Sequence, residues 1–166
     1  MTKLREGEGT YTYHENPFFQ YQGQYERGVK QTQSGNASTL IMRDGTRYTG
    51  EFRAGEITGV GVKSWPDGRR YEGEFMEGEM HGFGTLVYNV KQTDLRYEGN
   101  FHLNSREGEG TLSKKNGDVF RGNFVGNHPN GQCQVNFANG DSYEGEVIGG
   151  VMTGQGFLHC ANGKCF

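Results

Sequence analysis

The chain has 166 residues, of which 29 are glycine and only 3 proline, with an apolar share of 32% and a formal net charge of −3. So few apolar residues cannot fill a large closed core, and so small a net charge lacks the basic excess of a nucleic-acid binder. Disorder is excluded by the aromatic share of 13%, which is spread evenly along the chain.

In chain order, a Tyr-x-Gly unit first appears at Tyr21 and returns at Tyr48, Tyr71, Tyr97, as Phe-x-Gly at Phe120, and at Tyr143, every 23 to 27 residues. Ahead of the units at Tyr48, Tyr71, Phe120 and Tyr143 stands a two-residue turn signal: Asp44-Gly45, Asp67-Gly68, Asn116-Gly117 and Asn139-Gly140, with Asn162-Gly163 after the last. These predict type I′ hairpin turns, whose positive φ angles glycine tolerates. After the turn, Tyr71-Glu72-Gly73-Glu74-Phe75 alternates strictly, so Tyr71, Gly73 and Phe75 share one face and the glutamates the other. Met76 to Met80, holding Gly78, reads as a return loop. The chain then runs Gly82-Phe83-Gly84-Thr85-Leu86, which puts Gly82, Gly84 and Leu86 on one face. The same Gly-x-Gly opens at Gly59, Gly108 and Gly154, whereas Gly131 is followed by Cys133 and Ser34 to Thr39 has no clean copy. Val90 to Thr93 adds a few residues. A fixed period of this length marks one supersecondary unit copied along an axis, each copy touching only its neighbours.

Glycine inside a strand costs roughly 0.5–1 kcal/mol relative to alanine, so its regular use here needs a reason. A position without a side chain leaves a trough across which a ring from an adjacent strand can lie. The pairs Tyr21/Tyr25, Tyr48/Phe52, Tyr71/Phe75, Tyr97/Phe101 and Phe120/Phe124 then stack in series, and Tyr143/Val147 fades from it. The expected fold is all-β: an elongated, right-hand-twisted, single-layer antiparallel meander of about thirteen strands, spanning about 60 Å, with an open groove. Residues 1–166 form one array of about six repeats, and Phe166 stands where a seventh unit would open, as in a piece of a longer array.

Tyr-x-Gly-x-Phe, a glycine-bearing loop, His81-Gly82-x-Gly84 and an Asp-Gly turn resemble the MORN repeat (membrane occupation and recognition nexus) from Gly7 through Phe166. The segments Asn16 to Tyr21 and Gly55 to Gly59 resemble one vertebrate member of that family in particular. The resemblance implies cytoskeletal settings such as cilia, flagella, basal bodies and radial-spoke heads, and a cytoplasmic location.

Catalytic signals are missing. A dinucleotide fingerprint needs a third glycine opening a helix, and no helical period follows any Gly-x-Gly here. His14, His81, His102, His128 and His159 occupy unrelated repeat positions without metal-ligand spacing, and only His159, Cys160 and Cys165 lie close together. Glu72, Glu74, Glu98, Glu144 and Glu146 recur because the back face is wet. No cofactor, no metal and no enzymatic activity are expected. No run approaches the roughly 20 apolar residues of a membrane span. Met1 to Gly9 lacks an apolar signal core. Cys133, Cys160 and Cys165 make no even disulfide framework, which favours a reducing compartment.

Two surfaces remain. An edge holding Arg47, Arg69, Arg70, Arg96, Lys114, Lys115 and Arg121 could meet anionic lipid, although interleaved acidic residues suit a merely solvated edge. The second is the aromatic stripe of Tyr21, Tyr48, Phe52, Trp65, Tyr71, Phe75, Tyr97, Phe101, Phe120, Phe124 and Tyr143, which a one-layer sheet leaves partly open. The leading expectation is a protein-binding scaffold that takes a helix or an extended segment along this groove, with a terminal strand free for homodimer formation. The alternatives are a phosphoinositide-binding adaptor and a purely structural homo-oligomer.

Overall fold

In the computed structural model, residues 4–14, 16–32 and 36–163 are described. The strands are β1 (Gly7–Thr12), β2 (Phe18–Glu26), β3 (Val29–Gln31), β4 (Ser38–Met42), β5 (Arg47–Arg53), β6 (Glu56–Ser64) and β7 (Arg70–Met76). They continue as β8 (Glu79–Val87), β9 (Asp94–His102), β10 (Ser105–Lys114), β11 (Val119–Val125), β12 (His128–Asn136), β13 (Ser142–Ile148) and β14 (Val151–His159). All fourteen lie in one open antiparallel sheet in chain order, with β3 beside the path. Among the described residues there is no helix. Phe166 lies outside the described residues.

The extra strand has a local cause. β3 pairs with Gln24 to Glu26 of β2, and β4 pairs with Phe18 to Gln22, so the two share one edge of β2. Together they do what β6 or β8 does alone. This is the stretch where the sequence lacks a clean Gly-x-Gly.

Turn chemistry is the reverse of the expectation. At the Asp-Gly and Asn-Gly sites only the glycine has positive φ, for example 92° at Gly68. The Gly68 N–H donates to the Trp65 carbonyl at 3.0 Å, and the Trp65 N–H to the Arg69 carbonyl at 2.9 Å. This is a type I turn followed by a left-handed glycine. Its aspartate accepts from the backbone two residues on, as in Arg69 N–H to Asp67 Oδ1 at 3.0 Å. The true type I′ turns are the two-residue return loops, where both residues have positive φ: Glu77 at 52° with Gly78 at 85°, and Ala54 at 50° with Gly55 at 90°. A two-residue loop must match the right-handed twist of its strands, whereas a longer loop need not.

The return turns also join successive units. Gly28, Gly55, Gly78, Asn104, Asn127 and Gly150 donate their N–H groups backward to the carbonyls of Arg5, Lys30, Ile57, Met80, Arg106 and Pro129, at 2.8 to 3.1 Å. The opposite edge is stitched as well, since the Ala138 and Ala161 N–H groups donate to Asp118 Oδ1 and Asp141 Oδ1 of the preceding turns.

Candidate functional site

The two glycine sets of each repeat do different work. Gly50, Gly73, Gly99 and Gly145 of the Tyr-x-Gly strands face Gly61, Gly84, Gly110 and Gly156 directly across the ladder. A Cβ at Gly84 would collide with the Tyr71 ring, and one at Gly61, Gly110 or Gly156 with Tyr48, Tyr97 or Tyr143. Each ring therefore covers a trough on the next strand, as the sequence led us to expect. Each hydroxyl then donates to the carbonyl three residues on, Tyr71 to Glu74 at 3.0 Å and Tyr48 to Glu51 at 3.0 Å.

The first glycine of Gly-x-Gly departs from the expectation. Gly59, Gly82, Gly108, Gly131 and Gly154 have positive φ. The register slips next to each of them on the side of the preceding strand, so they form bulges instead of sharing a face with the second glycine. A Cβ at Gly82 would meet the Glu74 carboxylate on the opposite face, and Glu74 also accepts the Phe83 N–H at 3.1 Å.

Bulges at the same place in successive hairpins bend the sheet repeatedly, and the rings close on one another. An unbroken edge-to-face series runs from Tyr25 through Tyr21, Phe52, Tyr48, Phe75, Tyr71, Phe101 and Tyr97 to Phe124, with centroids 4.9 to 5.4 Å apart. Phe52, Phe75 and Phe101 each bridge the tyrosine of their own unit and that of the unit before, and Phe124 closes the series on Tyr97. Such pairs add about 0.5–1.5 kcal/mol each beyond area burial.

This corrects the expected open stripe. Tyr21, Tyr48, Tyr71, Tyr97 and Phe124 are 0% exposed, and Phe52, Phe75, Phe101, Phe120 and Tyr143 are buried too, with Trp65 packed partly buried beside them. The bent sheet and the interlocked rings cover the face that a flat sheet would leave open. Burial drives the Tyr48 and Tyr71 phenols upward and that of Tyr97 to about 12.

One column escaped the sequence reading although its spacing was available. Two residues beyond the return-turn donors stand Lys30, Ile57, Met80, Arg106, Pro129 and Met152. Ile57 and Met80 are core residues. Lys30 Nζ instead lies 4.7 Å from the Phe18 centroid and 5.4 to 5.9 Å from those of Tyr13, Tyr21 and Phe52. Arg106 sits over Tyr88, Tyr97 and Phe124 and pairs with Asp94 at 3.0 Å, well screened from water. Cations thus cap the ring series where an aliphatic side chain does so elsewhere.

The opposite, polar face carries what is open. Three depressions lie there at equivalent repeat positions. One is lined by Glu8, Thr10, Gln22 and Thr39, one by Phe83, Glu98, Asn100, Glu109, Thr111 and Arg121, and one by Gln132, Glu144, Gln155 and Phe157. The middle residue of Gly-x-Gly projects here, and Val60 and Phe83 are 57% and 54% exposed.

The basic edge is largely occupied. Arg69 pairs with Asp67, Arg70 with Glu72 and Arg96 with Glu98, at 2.6 to 2.8 Å. Lys115 donates to the Asn89 and Gln92 carbonyls, and Lys114 lies over Phe120. Among the described residues, Arg47 and Arg121 enter no ion pair. No group of three or more His, Cys, Asp or Glu could hold a metal ion among the described residues, and no helix is long and apolar enough to cross a membrane. Cys133 is a buried free thiol, whereas Cys160 is disulfide-bonded.

The geometry so far is a hairpin unit with a tyrosine-covered glycine pair, a bulge glycine and an Asx-Gly turn. The MORN repeat family model matches residues 3–15, 48–69, 71–91, 97–119, 120–142 and 143–165. The chain belongs to the MORN repeat family. MORN repeats are non-enzymatic modules that generally bind proteins or membranes. The match leaves out residues 16–47, where β3 and β4 divide one strand and Ser38 takes the place of the second glycine, its Oγ 3.0 Å from the Tyr21 hydroxyl. At the front it falls on Gly7-Glu8-Gly9, where Gly9 faces Gly23 across the ladder as Gly61 faces Gly73.

Proposed function

We propose that this chain is a non-catalytic protein-binding module that receives an extended partner segment across its polar face. The observation that carries the reading is the repetition of one depression along that face, with the exposed rings of Phe83 and Phe157 on the walls of two of them. Glu72, Glu74, Glu98, Glu109, Glu144 and Glu146 lie on the same face and suit a partner with basic side chains beside its apolar anchors. The aromatic rings then act indirectly, by holding the bend that shapes the depressions. The setting we propose is a cytoskeletal assembly in the cytoplasm, such as a cilium, flagellum or basal body, and the vertebrate member resembled at Asn16 to Tyr21 belongs to the same proposal.

Photo-crosslinking from position 83 or 111, with position 88 on the other face as control, tests the reading in a ciliated cell. Partners captured from 83 and 111, and lost in Phe83→Glu at unchanged melting temperature, are expected. Partners captured equally from 88, or indifferent to Phe83→Glu, would sink it. Liposome co-sedimentation that persists at physiological salt would favour an anionic membrane instead.

A further inference from the structure

His81 and His102 are 21 positions apart in sequence, yet the fold sets them side by side. The β8–β9 ladder ends at Gly82 opposite Phe101, and one step further places the two histidines opposite each other on the polar face. Their ring centroids are 5.2 Å apart with the planes inclined at 60°, which is not a stacked arrangement. His81 Nδ1 is buried and without a hydrogen-bond partner. On the other side of His81, its register partner is Glu74, whose carboxylate accepts the Phe83 N–H.

An imidazole in its metal-binding form carries one nitrogen lone pair, so two rings set side by side can supply two ligands to one ion. A Zn–N bond of roughly 2.0–2.1 Å leaves each ring centroid about 3 Å from the ion, so a tetrahedral pair of rings stands about 5 Å apart. The observed separation meets that requirement. Imidazole favours zinc, nickel and copper over magnesium and calcium, which seek oxygen. We propose that His81 and His102 form a two-histidine site for a borderline divalent cation of the zinc, nickel or copper class. Because no third protein ligand completes the set among the described residues, the other positions belong to water or to a donor group from outside. Such a site is exchangeable and is distinct from a closed structural zinc centre. It does not depend on the reading of the depressions.

The test is a titration of the full chain with zinc chloride, with magnesium chloride as control, followed by NMR of the histidine imidazoles near neutral pH and again below pH 6. Zinc should move both imidazole resonances together, and binding should weaken in acid because protons compete for the same lone pairs. His102 is exposed, so His102→Gln should keep the melting temperature while lowering the affinity roughly tenfold or more. Three results would overturn the site: no movement up to millimolar zinc, equal movement with magnesium, or an affinity unchanged in His102→Gln.

Discussion

The Cys133 sulfur stands 4.0 Å from the Asn123 carbonyl oxygen, the acceptor that a tyrosine hydroxyl reaches in the neighbouring units. In the next unit, the Tyr143 hydroxyl reaches the Glu146 carbonyl at 3.0 Å, three residues on in the same way. The fifth unit has Phe120 for the tyrosine and Cys133 for the glycine, which face each other's strands in the β11–β12 ladder. The two departures compensate: removing the hydroxyl makes room for a Cβ, and the thiol replaces the donor.

A double-mutant cycle should show this. Phe120→Tyr alone drives a hydroxyl into the sulfur, and Cys133→Gly alone leaves a gap, so each should destabilise. The pair together should restore the common pattern, with a coupling of about 1–3 kcal/mol by denaturant unfolding. Additive effects would show that the two positions are independent.

Position 84 should tolerate almost nothing. Gly84→Val puts a branched side chain where the Tyr71 ring lies, and overpacking of this kind costs about 1–3 kcal/mol or more. Thr85→Val, one residue along on the polar face, should change stability by less than about 0.5 kcal/mol. Comparable melting temperatures for the two would reverse the assignment of faces.

Alkali should unfold the sheet through its phenols. Burial raises Tyr97 from its ordinary value near 10 to about 12, so the folded state holds that proton more tightly than the unfolded chain. Its contribution is complete below pH 10 and is lost as pH rises from about 10 to 12. Tyr48 and Tyr71 are shifted in the same direction by the same cause. The melting temperature should fall steeply above pH 10, with phenolate absorbance appearing together with unfolding and not before it.

Of the ion pairs, that between Arg106 and Asp94 should matter most. Its side chains are 11% and 19% exposed, against 36% and 41% for Arg69 and Asp67. Asp94→Asn leaves a guanidinium among rings without its carboxylate and should cost about 3 kcal/mol, whereas Asp67→Asn should cost at most about 1 kcal/mol. Chemical denaturation of both variants checks the order.

Strand β14 repeats the Met and Leu positions of β8 with a different result. Met152 and Leu158 are 46% and 47% exposed, whereas Met80 and Leu86 are each 7% exposed under the following unit. We propose that this chain covers the strand with a second copy. Met152→Lys should then move the sedimentation equilibrium toward monomer, and a sedimentation profile indifferent to that change would speak against it.

The hairpin unit was legible in the sequence because strand alternation and the trough under each ring are local rules. Tyr71, Gly73 and Phe75 could be placed on one face from spacing alone. The bulge at Gly82 was not legible: a glycine that fills a trough and one that takes positive φ look the same in sequence, and only the register separates them. The openness of the aromatic face was misjudged for a related reason, since repeated bulges bend the sheet until Phe75 reaches Tyr48 of the preceding unit. His81 and His102 met for a non-local reason as well, across a loop lengthened at Val90 to Thr93.

Every backbone return-turn bond runs from a later N–H to an earlier carbonyl, as from Gly78 to Ile57 and from Asn104 to Met80. The Met80 and Arg106 N–H groups donate in turn to the Asn104 and Asn127 side chains of the later turns, so each junction closes when the later unit arrives. Synthesis on the ribosome releases residues in that same order. Each hairpin can therefore dock as it emerges, onto a surface already in place, and the nascent chain lengthens like a wall laid course upon course. A stalled or truncated product would keep its earlier units folded, because each unit leans only on its neighbours.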